Sequence, residues 1–229
     1  MKLNKNYIFI IYIFLLGCKP ETLNLDTINF QAQDLLKSIK TSKVENQIGA
    51  WSLDSSKSPF LEGDKTSTHY YFRTPDEIKQ LNFNNLPLDD IGAKLVTLDN
   101  KLIFASFSLE KENTFDVYNH LEQKLGAPQQ TFNTIAYDKS NDEVLIILNN
   151  LTEKQGVKKI IDEYDDELIT YPYQNTWIKN NIIYQYTLIR GKEAFSNKLV
   201  IITKEALTEK IIFGYHNSTN DPILGKYLK

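Results

Sequence analysis

The first hydrophobic feature of the chain is an apolar run from Tyr7 to Leu16, which follows a short basic start at Lys2 and Lys5. The run is ten residues long, whereas a helix needs about 20 apolar residues to span a bilayer. A basic start and a short apolar run that ends in small residues are typical of a secretory signal peptide. We therefore interpret residues 1–17 as a leader that is removed on export.

Four later segments have the spacing or end signals of helices. Residues 30–40 place three aliphatic side chains on one side. Thr74 and Glu77 form a capping box with a proline between them, which predicts the start of a short helix. The segments 113–125 and 152–164 both combine a polar start with an apolar stripe. In the first of these, the stripe consists of Phe115, Tyr118, Leu121 and Leu125.

Short runs rich in β-branched and aromatic residues predict strands. Three hairpins are expected, which pair 93–98 with 101–107 around Asp99-Asn100, 131–137 with 144–148, and 177–178 with 182–189. Further strands are expected at 199–203 and 211–215, on either side of a helical turn at 204–209. The pattern predicts an α+β fold, a mainly antiparallel sheet built from hairpins with two or three helices packed on it. Residues 30–229 are expected to form one globular domain.

The end of the leader, Leu15-Leu16-Gly17-Cys18, resembles the lipobox of bacterial lipoproteins, and Cys18 is the only cysteine in the chain. The resemblance covers residues 1–21. It implies that the Cys18 thiol receives a diacylglycerol, that the Gly17–Cys18 bond is cleaved, and that residues 18–29 form a lipidated tether. Two or three acyl chains hold a protein on a membrane almost permanently, whereas one chain binds only marginally. The alternative is an ordinary secreted protein with a chance cysteine.

The residues after Cys18 bear on location. Lys19 stands where an aspartate retains enteric lipoproteins at the inner membrane, which favours release to the outer membrane. Lys19-Pro20-Glu21 partly matches the export signal of Bacteroidetes surface lipoproteins, and Asp26-Thr27-Ile28 resembles their O-glycosylation pattern, with Thr27 as the acceptor. The expected location is the bacterial cell envelope, on the periplasmic or surface face of the outer membrane.

Composition excludes several functional classes. Loss of Lys2 and Lys5 with the leader leaves 24 basic and 29 acidic residues, a net charge of −5. An acidic protein does not suit a phosphate backbone, so nucleic-acid binding is not expected. Lipidation of Cys18 would leave no thiol for disulfides, nucleophilic catalysis or cysteine-based metal sites. The sequence predicts no cofactor and no metal.

Linear catalytic motifs are absent from the sequence, including Gly-x-Ser-x-Gly, phosphate-binding glycine loops and His-Glu-x-x-His. His69, His120 and His216 are expected to be surface or turn residues. The Ser-x-x-Lys at Ser108 lacks the two companion motifs of penicillin-binding enzymes. The acidic segments 138–143 and 162–167 are interpreted as a hairpin turn and a solvated helix end rather than metal sites.

The most suggestive segment for binding is Tyr171-Pro172-Tyr173-Gln174-Asn175-Thr176-Trp177. Aromatic rings bordered by amides are typical of platforms that bind sugars or peptides. Tyr171, Tyr173 and Trp177 therefore form a candidate ligand platform. The alternative is that these rings pack in the core or cover a sheet edge.

The absence of catalytic motifs and the predicted anchor favour a non-catalytic envelope protein that binds a ligand or partner, either a protein or a glycan. A second hypothesis is an envelope hydrolase whose two carboxylates are dispersed in the sequence, because glycosidases need only such a pair. A third is an accessory structural subunit of an envelope complex. The anchor is common to all three hypotheses, since it depends on residues 1–21 alone.

Overall fold

The computed structural model describes residues 22–30, 32, 34–49, 51–52, 65–137, 151, 156–190, 195–208 and 212–213. In these residues the fold is broadly α+β, with a large and mostly antiparallel sheet, which confirms the predicted class. The strands are β1 (Leu23–Asn24), β2 (Lys43–Ile48), β3 (Trp51–Ser52), β4 (Thr66–Phe72), β5 (Leu81–Phe83), β6 (Leu86–Leu98), β7 (Lys101–Leu109), β8 (Gln130–Tyr137), β9 (Lys158–Ile161), β10 (Glu167–Lys179), β11 (Ile182–Arg190), β12 (Phe195–Thr203) and β13 (Ile212–Phe213). The helices are α1 (Pro75–Ile78), a 3-10 turn (Lys111–Asn113), α2 (Thr114–Leu125) and α3 (Lys204–Thr208).

The main sheet has eleven strands within the described part of the chain. Its path runs β1-β5-β6-β7-β12-β11-β10-β8, while β4 joins β2 to β6 and β9 pairs with β10. Among its described strands, only β1 and β5 are parallel neighbours, and β3 and β13 form a separate parallel pair. The sheet is therefore not built from hairpins alone, because β7 with β12 and β8 with β10 unite strands that are distant in sequence.

Two-residue turns close three of the hairpins. Both central residues have a positive φ in Asn84-Asn85, Asp99-Asn100 and Asn180-Asn181. Asparagine and aspartate tolerate that backbone conformation, and turns of this type match the twist of the strands they connect. The predicted hairpins of β6 with β7 and of β10 with β11 are thereby confirmed. The partner predicted for β8 at 144–148 lies outside the described residues.

The two faces of the sheet are covered by different helices. The α2 face carries most of the core, where Val117, Tyr118 and Leu121 of α2 pack on the sheet. The α3 face carries a smaller apolar cluster, in which Ala206 and Leu207 of α3 cover strand residues. Successive side chains of a strand point to opposite faces, so each central strand contributes to both clusters.

The predicted helix at 113–125 is confirmed as α2, and α2 is fastened at both ends. At its start, the Tyr186 hydroxyl donates to the Thr114 carbonyl oxygen over 2.6 Å. At its end, Gly126 adopts a φ of 86°, and the Trp177 indole N–H donates to the Gly126 carbonyl oxygen over 2.8 Å. These bonds satisfy backbone carbonyls next to the buried face of the helix.

Two predicted helices are wrong. Residues 34–39 form successive turns, because Asp34 has a φ of 64° and the hydrogen bonds in this segment span three residues. Within the predicted helix at 152–164, Lys158–Ile161 form β9, which pairs with the start of β10. Gly156, with a φ of 96°, lies inside that predicted helix, and the β-branched pair at 160–161 suits the sheet.

The N-terminal segment belongs to the folded domain from Leu23 onward, which differs from the predicted tether boundary at residue 29. Strand β1 pairs with β5, and Leu25 is buried. Asp26, whose side chain is 8% exposed, lies 2.6 Å from Lys124 Nζ and 3.1 Å from His120 Nε2 on α2. An apolar contact and an ion pair thus fix this segment to the helix.

Glu77 joins α1 to the start of β2. Its carboxylate accepts the backbone N–H groups of Ser42, Arg73 and Thr74 over 2.6, 2.8 and 3.0 Å. The hydrogen bond from the Ser42 hydroxyl and then these N–H groups hold the pKa of Glu77 at about 2. The Thr74 side chain accepts from the Glu77 N–H, so the predicted capping box is confirmed.

Replacement of Glu77 by glutamine should lower the free energy of unfolding at pH 7, and this loss should shrink as the pH falls from about 4.5 to about 2. A carboxyl group whose pKa is depressed in the folded state stabilises the fold above its unfolded pKa, and protonation removes that contribution. Urea unfolding of the full-length protein in detergent at several pH values measures the difference.

Asp76→Asn is the matched control, because it makes the same charge change one residue away on a side chain that is 98% exposed. An exposed ion pair contributes little, so the control should change stability only slightly at every pH. Equal effects of the two substitutions at pH 7 would show that the Glu77 hydrogen bonds do not stabilise the fold.

Candidate ligand-binding groove

The predicted aromatic platform does not form a surface. Tyr171 and Trp177 are 3% and 0% exposed, and Tyr173 is half-buried with its ring near Phe132. The Tyr171 ring packs edge-on against Phe195 with 5.5 Å between centroids. The platform prediction is therefore wrong, because the alternation of β10 directs these rings to the core on the α2 face.

The lipidation and glycosylation sites remain predictions. Gly17 and Cys18 lie outside the described residues, as do His216 and the acidic segment 138–143. Thr27 is exposed in a turn, and its hydroxyl donates to the Asn24 carbonyl oxygen over 3.4 Å. An exposed hydroxyl is accessible to a glycosyltransferase, so this position stays a predicted acceptor.

His69 is not the surface residue that the sequence predicted. It is 1% exposed on β4, with Nε2 2.9 Å from the Ser67 hydroxyl oxygen. Burial, reinforced by the positive charge of Lys94, lowers the pKa of His69 to about 4. The imidazole is therefore neutral near pH 7 and adds no charge beside Lys94.

A groove of about 340 Å³ lies on the α3 face, where β4, β6, β7 and β12 run side by side. Its lining has a polar and cationic part and an apolar rim. We call it the basic groove and define it by Tyr71, Arg73, Lys94, Ser106, Ser108 and Lys198, with Ile91 and Ile189 at the rim.

Sheet register brings these side chains together. Lys94 on β6 pairs with Tyr71 on one side and with Ser106 on the other. Leu199 on β12 pairs with Phe107 on β7, so the residue before it, Lys198, lies beside Ser108 in the next cross-strand row. Neighbouring strands are about 4.8 Å apart. The two lysines therefore flank β7 on strands roughly 10 Å apart, with the serine hydroxyls between them.

The two lysines differ in exposure, because Lys94 is half-buried whereas Lys198 is exposed. Burial lowers the pKa of Lys94 to about 8, although the negative charge of Glu45 opposes the shift. Partial desolvation is also the cause that lowers the pKa of Lys198. Within the described part of the chain, Lys198 forms no ion pair. Desolvation disfavours the charged form of an amine, and a bound anion would compensate for it.

Further positive charge surrounds the Tyr71 ring at one side of the groove. The ring centroid lies 5.0 Å from Lys43 Nζ, 5.1 Å from Arg73 Cζ and 5.3 Å from Lys94 Nζ. Glu45 is 2.9 Å from Lys43, and after the larger effect of burial it helps to raise the pKa of Tyr71. This carboxylate is therefore engaged at the edge of the sheet, outside the set of residues that line the groove.

The groove has the chemistry of a binding site for a negatively charged group. The part of its lining that the structure describes contains no aspartate or glutamate, and therefore offers no carboxylate pair of the kind that a glycosidase requires. Glu77 lines a different cavity of about 790 Å³, but its low pKa makes it unsuitable as a general acid. Among the described residues, no three His, Cys, Asp or Glu side chains come together as metal ligands.

Sequence reasoning missed this site, although one signal pointed to it. Lys-Leu-Val occurs at 94–96 and again at 198–200, each time inside a predicted strand or at its start. In both copies the leucine lies in the core on the α2 face, and the valine lies in the apolar cluster on the α3 face. The lysine next to each leucine thus points to the α3 face, where the groove lies.

Comparison with known proteins provides no relative for this chain. No protein-family model matches it, and no curated protein or solved structure is significantly similar to it. None of the helices found in the described ranges has the length and apolar character needed to cross a bilayer.

The Lys94 amine should titrate near pH 8 in the folded protein, well below its ordinary value of 10.5. Burial favours the neutral amine, so stability from this group should increase as the pH rises from about 8 to 10.5. NMR of ¹³C-labelled lysine side chains against pH gives the midpoint, and Lys94→Arg identifies the signal by its loss. A midpoint near 10.5 would contradict the desolvation of this ammonium group.

Proposed function

We propose that the protein is a lipid-anchored, non-catalytic binding protein of the bacterial cell envelope whose ligand occupies the basic groove. The scaffold in this proposal is the antiparallel sheet with helices packed on both faces. Cys18 carries the lipid, residues 19–22 link it to the first strand, and the anchor holds the protein at the outer membrane.

The observation that carries the binding function is the convergence of two lysines from different strands in one groove. Lys94 on β6 and Lys198 on β12 line the same cavity, with two serine hydroxyls on β7 between them. Partial desolvation also lowers the pKa of both lysines. Side chains that break the local hydrophobic pattern at a cavity are typical of functional sites.

The anchor is supported by the sequence. An apolar run too short for a membrane span, followed by Leu15-Leu16-Gly17-Cys18, resembles a lipoprotein leader. Only four residues separate Cys18 from Leu23, where β1 begins, and the five extended steps from Cys18 to Leu23 reach at most about 18 Å. The proposed anchor would therefore keep the domain close to the lipid headgroups, where its ligand would be an envelope component.

A molecule from the envelope should bind to the full-length protein and be displaced when the groove is filled. The protein in detergent is incubated with a small-molecule extract of bacterial envelopes and examined by native mass spectrometry. Ser106→Phe should abolish the retained mass, because a ring at this position fills the groove. Thr134→Phe is the matched control, since it enlarges a small hydroxyl side chain on the distant strand β8. Retention by both variants, or by neither variant nor the parent, would exclude binding in the groove.

Replacement of Cys18 by serine should release the protein from membranes and leave the leader uncleaved, because the acyl acceptor is lost. Mass spectrometry of the N-terminus and partition between detergent and aqueous phases measure processing and anchorage. Lys19→Ser changes the next residue to the same side chain and should leave both unchanged. Membrane partition of a fully processed Cys18→Ser protein would show that the anchor is not a lipid on this residue.

A further inference from the structure

We propose that the ligand of the basic groove is an organic oxyanion, whose carboxylate or phosphate group lies between Lys94 and Lys198 above the serines of β7. This inference rests on the proposed function, namely that the groove holds a ligand, and names the chemical class of that ligand. The placement of the cations, the location of the acidic residues and the size of the groove support this class.

The placement of the cations suits a single oxyanion. Lys94 and Lys198 are on strands on either side of β7, and Ser106 and Ser108 occupy β7 between them. Flexible lysine side chains can reach inward from both sides to the same group, while hydroxyl groups below can donate to its oxygens. Arg73, which also lines the groove, adds a planar donor suited to carboxylate and phosphate.

The acidic residues of the described chain lie outside the lining of the groove. The chain as a whole is acidic, with a formal charge of −3, yet none of the described residues that line the groove is a carboxylate. The carboxylate that acts on Lys94 is Glu45, which forms an ion pair with Lys43 at the edge of the sheet. A concave site with one sign of charge concentrates ligands of the opposite sign.

The size of the groove requires more than a free inorganic ion. Its volume is about 340 Å³, whereas one water occupies roughly 30 Å³ of liquid, and small-molecule sites begin near 300 Å³. Ile91 and Ile189 line the rim and are 75% and 42% exposed. These apolar side chains and the Tyr71 ring can cover the body of the ligand, while the lysines bind its charged group. A sugar acid or a sugar phosphate has both parts.

Isothermal titration calorimetry on the full-length protein in detergent tests this inference with three probes that share one ring. Glucuronate supplies a carboxylate, glucose 6-phosphate supplies a phosphate, and glucose supplies neither. We expect at least one anion to bind at pH 7 and glucose not to bind. Because hydrogen bonds to charged groups contribute about 1.5–3 kcal/mol, Lys94→Gln and Lys198→Gln should each weaken binding by about tenfold or more.

The matched control is the double variant Lys158→Gln/Lys159→Gln, which removes positive charge from exposed positions on β9 and should change the affinity by less than twofold.

Affinity should also fall as the pH rises through about 8, where Lys94 loses its proton. The other titratable groups on the Tyr71 side of the groove do not cause this fall in affinity near pH 8. The pKa of Tyr71 is raised, the pKa of His69 is about 4 and the pKa of Glu45 is lowered. Arg73 stays charged, Lys43 is paired with Glu45, and the lowered pKa of Lys198 acts in the same direction as that of Lys94.

Lys94→Arg and Lys198→Arg keep the charge and should retain binding, which guards against loss of folding in the glutamine variants. An upward shift of the Lys94 NMR midpoint on addition of the anion gives a second readout in the unmodified protein. Equal binding of glucose, an unchanged affinity in both glutamine variants, or no binding of either anion would overturn the inference. A neutral envelope molecule that is retained by the parent and lost in Ser106→Phe would overturn the oxyanion class and leave the proposed binding function intact.

Discussion

The pairing of β7 with β12 is the constraint on which the main sheet depends. In the described chain it is the one ladder that joins the strands before α2 to those after it within this sheet. The Asn197 side chain extends that ladder, because it accepts from the Leu109 N–H over 2.8 Å and donates to the Leu109 carbonyl oxygen over 3.0 Å. Its amide also donates to the Thr114 hydroxyl over 2.9 Å. A fully buried amide thus fixes the central register and the start of α2, and its donors and acceptor are all used.

That register decides what each face of the sheet carries. In one cross-strand row, Ala105 on β7 pairs with Leu95 on β6 and with Ile201 on β12. All three side chains lie in the core under α2. In the adjacent row, Lys94 and Ser106 occupy the opposite face. A slip of one residue would exchange the two rows and bring lysine into the core. The apolar half of each strand therefore enforces the geometry of the groove, although the groove residues themselves add little to packing.

Several buried polar groups of the fold have specific hydrogen-bond partners. Buried polar side chains in the core are tied to backbone groups, as Tyr186 is to Thr114 and Trp177 is to Gly126. On the edge of the sheet, Glu77 uses its carboxylate to gather backbone N–H groups from two segments. Lys94 and Lys198 differ from these groups, because they line a groove in which no described carboxylate takes part.

The sequence alone determined those elements that are stabilised by contacts between residues close together in the chain. The turn at Asp99-Asn100, the capping box of Glu77 and the helix α2 formed as predicted, because each depends on neighbours along the chain. Only the tertiary structure decided that 158–161 is a strand, since an apolar pair suits a helix or a sheet until β10 offers a partner. The burial of Trp177 and the meeting of Lys94 with Lys198 across β7 were likewise decided by strand order and register. These arise from pairings between distant segments, and the periodicity of a single strand does not specify which strand will lie beside it.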